Sequence, residues 1–258
     1  MLIDTHCHID APEFDADREQ VIAAAKAAGV SAIIVPAVSI ATLESTRTVC
    51  AVHPGWAYPA YGLHPVYVNT HRREDISTLK DWLRQNPAVA VGEIGLDGFV
   101  EGLSMSEQEW FFVEQLKLAR EFDLPVVLHV RRALDTVLKH LRRIKVKGGI
   151  AHAFNGSPQQ AEAFIQQGFK LGFGGAMTYP RALNIRRLAS SLPLESIVLE
   201  TDSPDIQPEW DSQGRNTPEY LPQIAAALAE LRGITVDELA SITRKNVSAA
   251  FLISSIPK

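Results

Sequence analysis

Only two cysteines, Cys7 and Cys50, occur in 258 residues, so no disulfide framework of the secreted kind is expected. No apolar run approaches the roughly 18 residues that a membrane span needs, and no membrane association is expected. The first apolar residues lead straight into Asp4 and His6; that is not the pattern of a secretory leader, and the expected location is cytoplasmic. Positive charge is not in excess, since 25 Lys and Arg stand against 30 Asp and Glu for a formal net charge of −5. That balance argues against a broad basic surface that coats duplex DNA, while leaving room for a local site for a nucleic-acid end or another small anion. Low-complexity tracts, short repeats and domain-splitting linkers are missing as well. What is there is an ordinary globular composition, 46% hydrophobic and 21% charged, read as a single domain over residues 1–258.

Strand-like and helix-like stretches alternate from the start. After the opening strand at Ile3–His8, an amphipathic helix is predicted over Pro12–Gly29, a buried strand over Ser31–Pro36 and a helix over Ile40–His53. A weaker strand at Ala57–Leu63, a helix at Glu74–Gln85 and a small-residue strand at Ala88–Glu93 follow. The helix over Ser106–Phe122 carries a capping box of Ser106 with Glu109 and an apolar stripe of Trp110, Val113, Leu116 and Leu118. Strands are then predicted at Leu124–Val130, Gly149–His152, Phe169–Phe173 and Ser196–Asp202. Helices are predicted at Ala133–Arg143, Pro158–Gln167, Arg181–Ser191 and Glu219–Arg232, and a last one runs from Thr235, capped with Glu238, to Leu252. About eight such units in roughly 250 residues fit a closed (β/α)8 TIM barrel of the α/β class, with an extra C-terminal helix, better than an open doubly wound sheet. Glycine-rich nucleotide loops are absent; the nearest stretch, Gly172-x-Gly174-Gly175, has the wrong spacing.

A barrel places functional residues at the carboxyl ends of its strands, facing inward. Asp4, His6 and His8 share one face of the opening strand. Glu93 ends the fourth strand with Val89 and Val91 on its face. His129 ends the fifth behind Val127, His152 the sixth behind Ile150, and Asp202 the eighth behind Val198 and Glu200. A lone strand-end histidine is more often just hydrogen-bonded, but six ligand-type residues on five strands converge on one mouth. His6, His8, Glu93, His129, His152 and Asp202 are therefore the candidate metal ligands. They offer enough donors for two divalent ions per subunit, with Glu93 able to bridge them, and mixed nitrogen and oxygen ligands suit zinc, manganese or similar ions. Paired ions about 3.5–4 Å apart activate water at neutral pH and clamp a phosphoryl or carbonyl oxygen. Asp202, able to touch both a metal and the attacking water, is the candidate general base, with Glu93 the second catalytic carboxylate. Cys7 alternates away from this face and reads as a small buried residue.

His6-Cys7-His8, Gly62-Leu63-His64-Pro65, Gly92-Glu93-Ile94-Gly95-Leu96-Asp97, Leu128-His129-Val130-Arg131, His152-Ala153-Phe154-Asn155-Gly156 and Glu200-Thr201-Asp202-Ser203-Pro204 together resemble the TatD family of metal-dependent deoxyribonucleases, in family order and across nearly the whole chain. Arg215-Asn216-Thr217-Pro218 is similar to the family's Arg-Asn-x-Pro segment, and the YjjV-type branch is the nearest in appearance. The resemblance implies a barrel of the amidohydrolase superfamily, ligands at the six residues already singled out, and 3′-to-5′ removal of nucleotides from single-stranded or frayed DNA, or RNA, with zinc, manganese or magnesium. Two departures bear on substrate preference: Val130 and Arg132 stand where many members carry Cys and an acidic residue, and Ala153 and Asn155 where many carry Cys and Thr.

His64, Arg131, Arg215 and Asn216 are the candidate substrate-binding residues, the arginines as donors to phosphate or, alternatively, as salt bridges bracing the barrel mouth. Asp4 and Glu200, one step below the ligands, are expected to orient imidazoles or to form a buried ion pair. Arg142, Arg143, Lys145 and Lys147 read as a solvated helix end. Of the four tryptophans, Trp56, Trp82 and Trp110 read as core, and Trp210 is the one able to stack on a base. The expected function is a metal-dependent phosphodiesterase acting on single-stranded DNA or other nucleic-acid ends, with no obligate protein partner. Hydrolysis of an ester, amide or aminoacyl bond is the enzymatic alternative, and a metal-stabilised binding protein without turnover is the non-enzymatic one.

Overall fold

Parallel strands cannot be joined by a tight turn, so each short apolar run must be returned to the start of the next by a helix. The computed structural model of the chain describes residues 1–251 and follows that rule throughout. Its strands are β1 (Leu2–Asp4), β2 (Val30–Pro36), β3 (Ala57–Tyr61), β4 (Ala90–Asp97), β5 (Val126–Arg131), β6 (Gly149–Ala151), β7 (Phe169–Phe173) and β8 (Ile197–Leu199). They lie parallel in sequence order in one eight-stranded sheet. The connecting helices are α1 (Arg18–Ala27), α2 (Leu43–Val52), α3 (Asp75–Gln85), α4 (Met105–Glu121), α5 (Leu134–Arg143), α6 (Pro158–Gln166), α7 (Leu183–Ser191), α8 (Leu221–Arg232) and α9 (Val236–Phe251). At the seam, the Thr5 backbone N–H and hydroxyl both donate to the Leu199 carbonyl at 3.0 Å, and Cys7 bridges Ser203. The expected barrel with an additional C-terminal helix is the fold observed.

Two apolar layers explain why the strands read as continuous hydrophobic runs. Ile3, Ala32, Ile34, Ala60, Ala90, Val127, Ile150 and Val198 fill the barrel interior, while Ile33, Val35, Val126 and Leu128 point outward into the helix-facing core. α9 packs Val247, Ala250 and Phe251 against the interior set, and Asn246 Nδ2 donates to the Leu194 and Ile197 carbonyls at the entry to β8. The extra helix is thereby bound to the barrel itself. No helix among the described residues is long and apolar enough to cross a membrane.

Several boundaries differ from the sequence expectation for identifiable reasons. The stretch predicted as one helix over Pro12–Gly29 breaks into a 3-10 turn at Pro12–Phe14 and α1, because Arg18 folds back onto the Ile9, Asp10 and Ala11 carbonyls. The cap of α4 is Ser104, which accepts from the Glu107 N–H, and not Ser106 with Glu109. Its buried face carries Gln108, Phe111, Phe112, Gln115, Leu116 and Ala119, with Trp110 and Val113 only half-buried. β4 continues to Asp97 rather than stopping at Glu93, and β8 is only three residues, so Glu200 and Asp202 lie beyond it. Val91 does not share Glu93's inward face: it sits in the outer core, and a register shift between Val91 and Ile94 re-aims Glu93, as such irregularities do beside functional sites. The predicted end of the last helix, Leu252, lies outside the described residues.

Candidate metal centre

β1 ends at Asp4, and after a bend at Thr5 the chain is held on one side by the Cys7 N–H to the Ile34 carbonyl and on the other by the His8 N–H to the Ser203 carbonyl. His6 and His8 therefore remain inside the mouth, with their Nε2 atoms 3.2 Å apart. The re-aimed Glu93 is fully buried between all the imidazoles. Its Oε2 lies 3.0 Å from His6 Nε2 and 3.5 Å from His8 Nε2. Its Oε1 lies 3.1 Å from His64 Nε2, 3.1 Å from His129 Nδ1 and 2.9 Å from His152 Nε2. Asp202 Oδ1 completes the first group, 3.4 Å from His6 Nε2 and 3.7 Å from His8 Nε2. Each Glu93 oxygen thus faces its own cluster of nitrogens. All six residues expected as ligands meet at this point.

Hydrogen bonds on the far side of each ring decide which nitrogen faces inward with a lone pair. His8 Nδ1 sits 3.1 Å from the Pro36 carbonyl, an obligate acceptor, so Nδ1 carries a proton in either charge state and Nε2 is the nitrogen that a metal would take once its own proton has left. His129 Nε2 sits 2.9 Å from Asp97 Oδ2, so Nε2 carries a proton and Nδ1 is the nitrogen turned toward Glu93, the carboxylate–histidine arrangement common at metal sites. His64 is the opposite case. Its Nδ1 accepts from the Val66 N–H at 3.2 Å, which leaves the proton on Nε2, aimed at Glu93. His64 is therefore placed as a hydrogen-bond donor to Glu93. Gly95 makes this corner possible, because a Cβ there would sit 1.9 Å from the His129 carbonyl oxygen.

The electrostatics are those of a site awaiting positive charge. Burial would raise the Glu93 carboxyl, but the imidazoles of His64, His6 and His152 and a hydrogen bond from His129 outweigh it and hold it well below the usual range. Burial pulls His8 down, yet its contact with Glu93 and the charge of Asp202 lift it to about 9. His152 is pulled down by burial and lifted by Glu93 and Asp202 to about 10. His64 is lowered to about 4 by burial and stays neutral. Asp202 is pushed up to about 6 by burial. Donor atoms of His6, His152 and Asp202, of His6, His8 and Glu93, and of His64, Glu93 and His129 each lie within 4.8 Å of one another. A cluster of imidazole nitrogens and carboxylate oxygens this tight fits divalent cations of the zinc or manganese type.

The neighbours assigned from sequence sort differently. Asp4 orients no imidazole: it accepts from the Thr201 N–H at 3.0 Å and the Thr201 hydroxyl at 2.6 Å, tying β1 to the chain after β8. Glu200 accepts from the Ala153 N–H and stays 3.9 Å from His152 Nδ1. Burial raises its carboxyl to about 8. It lies in a groove left by Gly172 and Gly174, where a Cβ at Gly172 would meet Glu200 Oε2 at 1.9 Å. That is the use of the glycine stretch that resembled a nucleotide loop. Arg215 does not face the mouth but pairs with Asp17 through both terminal nitrogens, at 3.0 and 2.7 Å, and covers the Phe14 ring. Asn216 is fully buried, its amide donating to the Thr201, Asp205 and Ile206 carbonyls. Both expectations of substrate contact give way to bracing roles, because a loop this long must satisfy its own backbone. Trp210 packs edge-on against Tyr220 and is not part of the cleft wall. Cys7 is buried in the outer core, as expected. Arg131 lines the mouth, within a cleft of about 1120 Å³ that also contains His8, Glu93, His129, His152 and Asp202.

Asp97 is the site residue that sequence reading did not assign. Stepping by two from Glu93 through Gly95 reaches it, but ending the strand at Glu93 hid that step. Gln108 was missed as well; its side chain accepts from the Asp97 N–H at 2.7 Å and donates to the Asp97 carbonyl at 3.0 Å. Gln115 grips Leu63, next to His64, in the same way at 2.7 and 3.1 Å. Two glutamines seven apart on an otherwise apolar stripe were the available signal.

Comparison with known proteins agrees with this geometry. The model of the family described as TatD related DNase matches residues 3–252. The chain is 44% identical over 255 residues to the metal-dependent hydrolase YjjV of Escherichia coli K12, covering 96% of this chain and 97% of that protein. It is 31% identical over 261 residues to a protein of Pantoea sp. named 3′-5′ ssDNA/RNA exonuclease TatD, covering 98% of this chain and 100% of the relative. A crystal structure of YjjV, a TatD homologue from E. coli K12, superposes with a TM-score of 0.93 at 42% identity, covering 98% of each chain.

Proposed function

The chain belongs to the family of TatD-related DNases, and from that premise we propose that it is a metal-dependent phosphodiesterase removing nucleotides 3′-to-5′ from single-stranded DNA ends. The observation that carries the reading is Glu93, whose two carboxylate oxygens each face a separate imidazole cluster. His6, His8 and Asp202 would hold one divalent ion and His129 and His152 a second, with Glu93 shared between them. Ions bound there supply Lewis acidity toward a phosphoryl oxygen and lower the pKa of water. The Pantoea relative's name supports a nucleic-acid substrate and the 3′-to-5′ direction.

The residues of the chain account for the rest of the reaction. Asp202, buried at the mouth with Oδ1 3.4 Å from His6 Nε2 and 3.7 Å from His8 Nε2, is the carboxylate placed to accept the proton of the attacking water. The water oxygen bonds to phosphorus, the bond to the 3′ oxygen of the preceding nucleotide breaks, that oxygen takes up the proton held by Asp202 to become the new 3′-hydroxyl, and a 5′-mononucleotide leaves. Arg131 at the mouth pairs with the phosphate as a bidentate donor. The His64 Nε2–H orients Glu93, and the ring lines the cleft where the phosphate would bind.

The test is degradation of single-stranded DNA labelled at the 3′ or the 5′ end, with chelator and with magnesium, manganese or zinc restored. A ladder shortening from the 3′ end, abolished by chelator and recovered with metal, is the expected result. Cleavage of carbonyl esters or amides with none of nucleic acid would transfer the same centre to a different bond.

A further inference from the structure

Beyond the metal centre, one wall of the cleft is unlike the others. Arg131 and Arg132 both lie over the ring of Phe99, with guanidinium carbons 3.6 and 4.5 Å from its centroid. Successive side chains of a strand point to opposite faces. Arg132, just after β5, takes a φ of +54° and breaks that alternation, so both guanidinium groups reach the same ring. The Gly98 N–H donates to the Arg131 carbonyl at 2.7 Å and joins the two loops beneath them. Asp97 Oδ1 accepts from the Phe99 and Val100 N–H groups at 2.7 and 2.8 Å while its Oδ2 meets His129, so the platform is fastened to the metal centre by one side chain. Phe99 is 43% exposed although it is a large apolar ring. Among the described residues of the cleft wall these are the two arginines, and no lysine joins them; Asp10, Glu13 and Asp205 elsewhere on the wall are acidic. Neighbouring like charges repel when no anion stands between them, and a phosphodiester is such an anion. An aromatic ring combined with arginines is the usual platform for single-stranded nucleic acid.

We propose that Phe99 and Arg132, beside the Arg131 that meets the cleaved phosphate, form a second nucleotide subsite, Arg132 taking the adjoining phosphate and the Phe99 ring taking a base. The substrate is accordingly a single strand of linked nucleotides and not an isolated phosphoester. This rests on the nuclease reading of the metal centre. The experiment compares wild type, R132A, R132K and F99A on a short single-stranded oligodeoxynucleotide and on bis(p-nitrophenyl) phosphate, which has no second nucleotide, with KM and kcat followed against salt. R132A is expected to raise KM for the oligonucleotide about tenfold and to reduce the salt slope by about one, with R132K keeping most of that slope. F99A is expected to raise KM by about tenfold with the salt slope retained. The preference for the oligonucleotide over the small diester falls correspondingly in both. Equal losses on the two substrates, or no change in KM, overturn the subsite while leaving the nuclease reading intact. A wild-type enzyme that cleaves the small diester and no nucleic acid overturns the nuclease reading and the subsite with it.

Discussion

Replacing Gln115 by methionine, close to it in shape and unable to hydrogen-bond in the same way, tests how the barrel mouth is held. Gln115 is fully buried on α4, accepts from the Leu63 N–H at 2.7 Å and donates to the Leu63 carbonyl at 3.1 Å. The variant leaves a buried backbone donor and a buried acceptor unpaired, each costing about 1–3 kcal/mol. Methionine recovers part of this by burying its own apolar surface, so the net loss is about 3 kcal/mol, or about 6–12 °C in Tm for a chain of this length. Thermal and urea unfolding of the metal-free protein, followed by circular dichroism, measure it. Gln166, exposed on α6 and bonded only to Glu162 in its side-chain amide, supplies the control, with a Q166M effect within about 0.5 kcal/mol. If Q115M costs no more than Q166M, the amide grip on Leu63 does not hold the mouth and the reasoning fails.

Asp202→Asn is expected to lose turnover by several orders of magnitude while retaining its circular dichroism spectrum; activity near wild type would remove Asp202 from the role of base. Metal binding should release protons, because His8 and His152 are held protonated at neutral pH by the surrounding carboxylates. Calorimetric titration with zinc or manganese in buffers of different ionisation enthalpy will show this, with affinity rising as pH approaches about 9; an enthalpy independent of buffer would contradict it. Arg215→Met should destabilise the protein at pH 7 and leave the KM for DNA little changed. Arg215 holds the Asp17 carboxyl below its ordinary 3.8, so this contribution is present above that value and disappears as the pH falls through and below it. Part of the gap, from the contacts with Phe14 and the Glu13 carbonyl, remains in acid; a gap that does not narrow at all refutes the ion pair, and a raised KM would return Arg215 to substrate binding.

Residues that follow a strand's alternation were legible from sequence alone. His129 behind Val127 and His152 behind Ile150 could be placed because an apolar residue two positions earlier fixes which way each points. Glu93 was found for a partly mistaken reason, since the register shift after Val91 sets its direction, and a sequence does not display such a shift. Asp97 was lost with the end of its strand. Arg215 and Asn216 stand in a polar loop whose partners are set by chain closure: Asp17 is 198 positions away, and no local pattern links the two. The spacing of the α4 glutamines was visible but their partners were not, because those partners are backbone groups, which carry no residue identity.

The seam at Thr5 and Leu199 has a consequence for how the molecule comes into being. His6 and His8 stand on one side of it and Asp202 on the other, and the bond that aligns them, from Thr201 to Asp4, spans 197 positions. A nascent chain that has finished seven strands possesses the histidines and Glu93 but not the carboxylate opposite them. A metal ion that needs both sides of the seam accordingly waits for the last strand to arrive, and its binding would serve as an inspection mark for a finished barrel. A partly synthesised or misclosed chain would lack both the grip on the ion and the hydrolytic activity, and the cell is spared a nuclease that works before it is whole.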